Sequence, residues 1–202
     1  MKIRSFKLGS DPELFLRRRD TGEYFPAIGL ISGTKRDPLP MVNLPKGFAW
    51  QVDNCSLEYN IPAASSKQEW IDYHNTALKY IKANVDNEQF ILALDASAEF
   101  NHEYLEMPGA REAGCETDNN AWQKMVNPKV SVADTNLRVC GGHVSIGFEE
   151  AKDRQICEEL IKAMDIFLGL PSVLLDGDTK RRQLYGKAGS FRFATKFHGK
   201  RN

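Results

Sequence analysis

Several features are missing from this 202-residue chain, and each absence narrows what it does. No apolar run approaches the roughly 18–20 residues that cross a bilayer. The opening residues, MKIRSFKLGSDPE, contain no apolar core of a signal peptide. Both point to a cytoplasmic protein with no membrane partner. Net charge is absent as well. The 27 Lys and Arg balance 27 Asp and Glu, which removes any general electrostatic case for nucleic-acid binding. Only four cysteines occur, Cys55, Cys115, Cys140 and Cys157, and no two stand at CxxC spacing. Neither a zinc site nor a redox motif is signalled, and free thiols are expected. There is no internal repeat, no low-complexity stretch, no GxxxxGK phosphate loop and no GxGxxG turn.

What is present fits one soluble domain. Hydrophobic residues make up 42% of the chain. KIRSFKL, ELFLRR and EYFPAIG alternate around turn residues and read as a hairpin. Residues 30–48, rich in Pro and Gly, read as a surface loop. AWQVDNCSLEYNI follows as one strand with period-two alternation. Ser66 and Glu69 form a capping-box pattern ahead of a helix whose buried face is Trp70, Tyr73, Ala77, Leu78 and Ile81. FILALDASAEF reads as a buried strand. Residues 101–137 are polar and read as a long insertion or lid. A second helix is expected from about Glu149 to Leu168, ended by Gly169 and Pro171. Strands and helices mix without a βαβ rhythm, which favours an α+β domain built on an antiparallel sheet.

Four stretches carry residues suited to chemistry. In GSDPELF, Asp11 and Glu13 lie two apart, on one side of an extended chain and roughly 7 Å from each other. Leu14 and Leu16 then face the opposite way from Glu13 and the next odd position. Paired carboxylates suit Mg²⁺, a hard cation that takes oxygen ligands. Asp11 as a turn cap and Glu13 as a solvated side chain is the competing reading. In QVDNCSLEYNIP, Glu58 shares a face with Ser56 and Asn60, opposite Cys55, Leu57 and Tyr59. Asp53 just precedes, in a turn or in a site. In CGGHVSIGF, His143 faces away from Val144, Ile146 and Phe148, beside glycines that mark close approach of a ligand or of backbone. A structural histidine remains the alternative. RRQLYGKAGSFRF surrounds a glycine-containing loop with Arg181, Arg182, Lys187 and Arg192, a pattern suited to phosphate. From Lys180 onward the chain has no acidic residue, so a merely solvated basic tail, or nucleic-acid or partner binding through that tail, also stays open.

In their order along the chain, GSDPELFL, VDNCSLEYNIP, GCETDNNAW, GGHVSIG and RRQLYGKAGSFR resemble the carboxylate-amine ligases of the glutamine synthetase-like superfamily. The likeness is strongest to the phage-encoded type 2 group, and glutamate–cysteine ligases look like more distant relatives. The resemblance implies a glutamine synthetase-like catalytic domain spanning residues 1–202. Its curved antiparallel β-sheet would carry helices packed on one face. It implies ATP and Mg²⁺ as cofactors, and a reaction that phosphorylates a carboxylate and lets an amine displace the phosphate. The partners would be small-molecule or peptide carboxylates and amines in a host cytoplasm, and superfamily members often assemble into homo-oligomers. By motif match, Glu13 and Glu58 would ligate metal with Asp11 in support, and His143 would contact metal or ATP phosphate. Arg182, Lys187 and Arg192 would hold phosphate or the substrate carboxylate, Asp53 would help deprotonate the amine, and residues 101–137 would cover the substrate.

Two departures accompany the likeness. Ser145 stands where relatives often carry a second histidine. Relatives also tend to continue past the GxFR strand into a segment resembling GxEYR, where this sequence reads FATKFHGKRN. The second implies an incomplete domain, so the alternative expectation is a catalytically inactive or truncated ligase-like binding protein.

Overall fold

The computed structural model describes residues 5–86, 88–111, 117–132, 134–180 and 188–193. The chain divides into two compact units. One comprises Met1–Gly114 and Ser131–Glu149, the other Cys115–Val130 and Glu150–Asn202.

The first unit contains β1 (Lys7–Ser10), β2 (Glu13–Arg18), β3 (Tyr24–Phe25), β4 (Leu39–Pro40), β5 (Ala49–Asp53) and β6 (Ser56–Asn60). It continues with α1 (Lys67–Val85), β7 (Phe90–Ala93), β8 (Ser97–Glu99) and α2 (His102–Leu105). The second unit then supplies β9 (Asn119–Asn120) and β10 (Met125–Val126), and the chain returns to the first for β11 (Leu137–Val139) and β12 (Val144–Gly147). The remainder of the second unit is α3 (Arg154–Met164), a π-helical turn over Asp165–Gly169, α4 (Leu170–Leu175) and β13 (Ser190–Phe191). The ladders between these strands are antiparallel. The class is therefore α+β, and the main sheet curls into half a barrel.

That sheet runs β3-β2-β6-β5-β4, with β7 also paired to β2. Strand alternation gives it two different faces. Leu14, Leu16, Trp50, Leu57 and Tyr59 form one apolar layer, which Ala77, Ile81 and Val85 of α1 cover. α1 begins where its cap dictates. The Ser66 hydroxyl accepts from the Glu69 N–H at 3.1 Å, and the Glu69 carboxylate accepts from the Ser65 N–H at 2.6 Å. The opposite face carries a second apolar cluster of Phe15, Cys55, Ala98, Phe100 and Leu105, and beside it a polar set described below.

Several sequence expectations change. β1 does not form a hairpin with β2. It pairs with β12, so the chain's start joins the strand that follows His143. AWQVDNCSLEYNI is not one strand but the hairpin β5–β6. Asn54 turns it at φ 59, a left-handed conformation that Asn adopts more readily than most residues. The Asn54 side chain accepts from the Cys55 N–H at 2.8 Å and from Arg138 Nε at 3.1 Å, which pins the turn. FILALDASAEF breaks into β7 and β8 around an exposed Leu94. The stretch 101–137 holds α2, β9 and β10 and contributes to both units. Finally, Gly169 and Pro171 do not end the second helix. Pro171 has no N–H, and its ring would clash with the Phe167 carbonyl in a regular α-helix. The helix widens instead, with the Leu170 N–H reaching back five residues to the Asp165 carbonyl, and then continues to Leu175.

Cys55, Cys140 and Cys157 form no disulfide among the described residues. Among the same residues, no helix is long and apolar enough to cross a membrane.

One glycine fixes an edge of the polar face. The Gly33 carbonyl accepts from the Val52 N–H at 2.9 Å, and a Cβ placed on Gly33 would lie 2.3 Å from the Trp50 carbonyl oxygen. Backbone on both sides leaves no room to relax. Gly33→Ala is expected to lower stability by about 1–3 kcal/mol, the range for overpacking a tight interior. Urea denaturation checks this, and a wild-type midpoint would contradict the packing described.

Candidate metal centre

The polar set sits where three strands run side by side. Glu13 of β2 stands directly opposite Glu58 of β6, and Glu58 stands directly opposite Gln51 of β5. Two residues along β5, Asp53 occupies the next position on the same face. Glu13, Asp53 and Glu58 each place a carboxylate oxygen within 4.8 Å of the others. Like charges directly opposite each other in a sheet are destabilising, and burial sharpens the penalty. Glu58 is only 6% exposed, Asp53 is also buried, and Glu13 is half-buried.

Each carboxylate is held differently. Glu13 is gripped by Gly141. Its backbone N–H donates to the Gly141 carbonyl at 2.9 Å, and its Oε2 accepts from the Gly141 N–H at 2.8 Å. Asp53 Oδ2 accepts from Lys35 Nζ at 2.6 Å. Glu58 receives a hydrogen bond from Gln51, whose own Oε1 accepts from Asn60 at 2.7 Å. The other Glu58 oxygen, Oε2, is buried and has no hydrogen-bond partner among the described residues. A buried carboxylate oxygen with no donor is costly, and a cation is the natural partner it calls for.

The proton affinities carry the same message. Burial pushes the Glu58 carboxyl up to about 8, and the negative charges of Asp53 and Asp11 add to the effect against the opposing pull of Lys35 and Gln51. Burial also raises Glu13, with the Gly141 hydrogen bond as the main opposing influence. Three acids and one ammonium form a cluster short of positive charge. Hard carboxylate oxygens at this spacing fit Mg²⁺ or Mn²⁺.

The other residues expected in the site fall into four groups. Asp11 and His143 lie together at the edge of this cluster. Asp11 Oδ1 accepts from the His143 backbone N–H at 2.8 Å, and the ring Nδ1 stands 3.4 Å from the same oxygen. The His143 ring is about half exposed. The neighbouring Gly142 explains part of the glycine shelf, since a Cβ there would come within 3.0 Å of the Pro12 Cα. The close approach is thus of backbone to backbone. Asp53, expected as a base for the amine, is packed within the carboxylate cluster itself. Arg192 belongs to the second unit, where its Nε contacts Asp118 at 2.9 Å. There β13 pairs with β9, so two of the motifs read from sequence, GCETDNNAW and GSFR, meet at Asn119–Asn120 and Ser190–Phe191. Arg182 and Lys187 lie outside the described residues, as does Cys115.

Two residues were missed by sequence reasoning. Gln51 had a signal, since alternation along AWQVD puts it on the face of Asp53 and away from Trp50 and Val52. Lys35 had none, because it arrives from a loop 18 positions before its partner. No family model matches the chain, and neither a curated protein nor a solved structure matches it significantly.

The raised Glu58 carboxyl fixes the sign of a pH effect. The folded state holds this proton up to about pH 8, whereas the ordinary carboxyl releases it near 4.5. Across that window the folded state binds more protons, so its stability falls as pH rises. Glu58→Gln, which keeps the shape and removes the charge, is expected to stabilise the metal-free protein at pH 8 by on the order of a few kcal/mol. It should change little at pH 4.5. Thermal melts at both pH values test this, and an equal effect of the substitution at both would contradict the assignment.

Proposed function

We propose that this chain is an ATP- and Mg²⁺-dependent ligase that joins a carboxylate to an amine by way of an acyl phosphate. The observation that carries the reading is the convergence of Glu13, Asp53 and Glu58, with the buried Glu58 Oε2 unpartnered. The ordered motifs of the sequence supply the reaction class. A divalent metal held by Glu13, Glu58 and Asp53 would screen phosphate charge and polarise the phosphoryl group under attack.

The residues of the chain have separable tasks in this reading. Glu13 is oriented by Gly141 and Glu58 by Gln51, so neither carboxylate needs to reorganise to receive a cation. Asp11 fixes the His143 backbone and ring beside the cluster, where an imidazole suits a phosphate oxygen. The phosphate- or carboxylate-binding role proposed for Arg182, Lys187 and Arg192 comes from their sequence motif. The amine would lose its proton to a carboxylate at the edge of the cluster.

Incubation with ATP, Mg²⁺ and pooled amino acids or peptides is expected to release ADP and phosphate only when an amine acceptor is present. Glu58→Ala should lower that turnover roughly a hundredfold or more, the scale on which a preorganised electrostatic contact acts. Binding of MgATP without turnover would support a ligase-like binding protein instead. Absence of nucleotide binding by calorimetry in the presence of Mg²⁺ would reject the ligase reading.

A further inference from the structure

Lys35 and Arg36 are the two central residues of a tight turn. The Thr34 and Asp37 backbones close it with reciprocal hydrogen bonds of 3.0 Å. The turn is anchored to β5, since Thr34 bridges Val52 and the neighbouring Gly33 is wedged against Trp50. Its backbone is therefore fixed, yet the Lys35 side chain remains 44% exposed. From there Nζ reaches Asp53 Oδ2 at 2.6 Å, inside the carboxylate cluster. Its charge also draws both Glu13 and Glu58 back toward ionisation, so it acts on all three acids.

An ammonium and a divalent cation compete for such a place. Both are attracted by the same carboxylates, and they repel each other strongly at the separations the cluster allows. Lys is suited to exchange, being a compact charge on a four-carbon stem that reorients without moving backbone. Building on the ligase reading above, we infer that Lys35 is an exchangeable cation of this site. It neutralises Asp53 until a divalent metal takes its place, and then swings outward on its anchored turn to bind an anionic phosphate oxygen carried by the metal. Arg36 beside it is exposed and adds positive charge to the same turn. The turn thereby becomes a phosphate-binding element that no glycine-rich loop motif announces.

The inference has a signature of two opposite signs. Lys35→Met keeps most of the side-chain length and removes the charge. Titration with Mn²⁺ alone, followed by calorimetry and by electron paramagnetic resonance of free Mn²⁺, should show about tenfold tighter binding than wild type. With Mn²⁺ saturating, binding of inorganic pyrophosphate should be about tenfold weaker. Lys35→Arg, which keeps the charge, should leave Mn²⁺ affinity near that of wild type and confirms that charge is responsible. Circular dichroism melts of both variants establish that they are folded. Wild type that binds Mn²⁺, with Lys35→Met binding it equally or more weakly, overturns the exchange and leaves the metal centre standing. Unchanged pyrophosphate binding overturns the phosphate contact. If neither wild type nor Lys35→Met binds Mn²⁺, the metal centre and the exchange fail together.

Discussion

Two glutamates face each other across adjacent strands, and the rest of the first unit is arranged around that conflict. Glu13 and Glu58 are directly opposed in the β2–β6 ladder, on a largely buried face, with Asp53 close by. Nothing in local sheet energetics favours this. The opposed charges repel, and burial removes the water that would screen them. A sheet tolerates such an arrangement where its other face is firmly packed. Here that face is Leu14, Leu16, Leu57 and Tyr59 under α1. One fully buried Ile81 on that helix contributes roughly 1.5–3 kcal/mol, and several such residues offset the strain of the acids. The apolar layer and the acidic cluster are two faces of the same strands.

The supporting contacts hold each carboxylate of the cluster in place. Gly141 clamps Glu13, Gln51 steadies Glu58, and Asp11 ties down His143. Lys35 supplies one positive charge to three acids. Among the described residues, one buried carboxylate oxygen is left with no donor, where such atoms are ordinarily satisfied. The divalent cation proposed above would satisfy the geometry and the charge together. Burial, with the charges of Asp53 and Asp11, holds the Glu58 carboxyl up at about 8, and a proton there relieves only part of the charge.

Much of this was legible in the sequence because it follows from period-two alternation. That rule alone places Glu13 opposite to Leu14 and Leu16, and Glu58 opposite to Leu57 and Tyr59. The capping-box pattern of Ser66 and Glu69 likewise marked the start of α1, whose N-cap is Ser66. What stayed hidden was non-local. No spacing rule reveals that β1 pairs with β12, which lies over a hundred positions away, or that Lys35 meets Asp53. The turn at Asn54 left one trace, since the apolar positions shift from Trp50 and Val52 to Cys55, Leu57 and Tyr59 across Asp53–Asn54, but Asn followed by Cys is a weaker hairpin signal than Asn followed by Gly. Pro171 misled in the opposite direction, since a π-helical turn accommodates its missing N–H without stopping the helix. The basic loop near Arg182 and Lys187 falls outside the described residues, and Arg192 is tied to Asp118 in the second unit.

The central claim is that the opposed carboxylates form a divalent metal centre. A crystal soaked in Mn²⁺, with diffraction recorded at the manganese absorption edge, tests it most directly. The account predicts a single strong anomalous peak between Glu13, Asp53 and Glu58, within bonding distance of the Glu58 oxygen that otherwise has no partner. A soaked crystal with no anomalous density among these three carboxylates would contradict it.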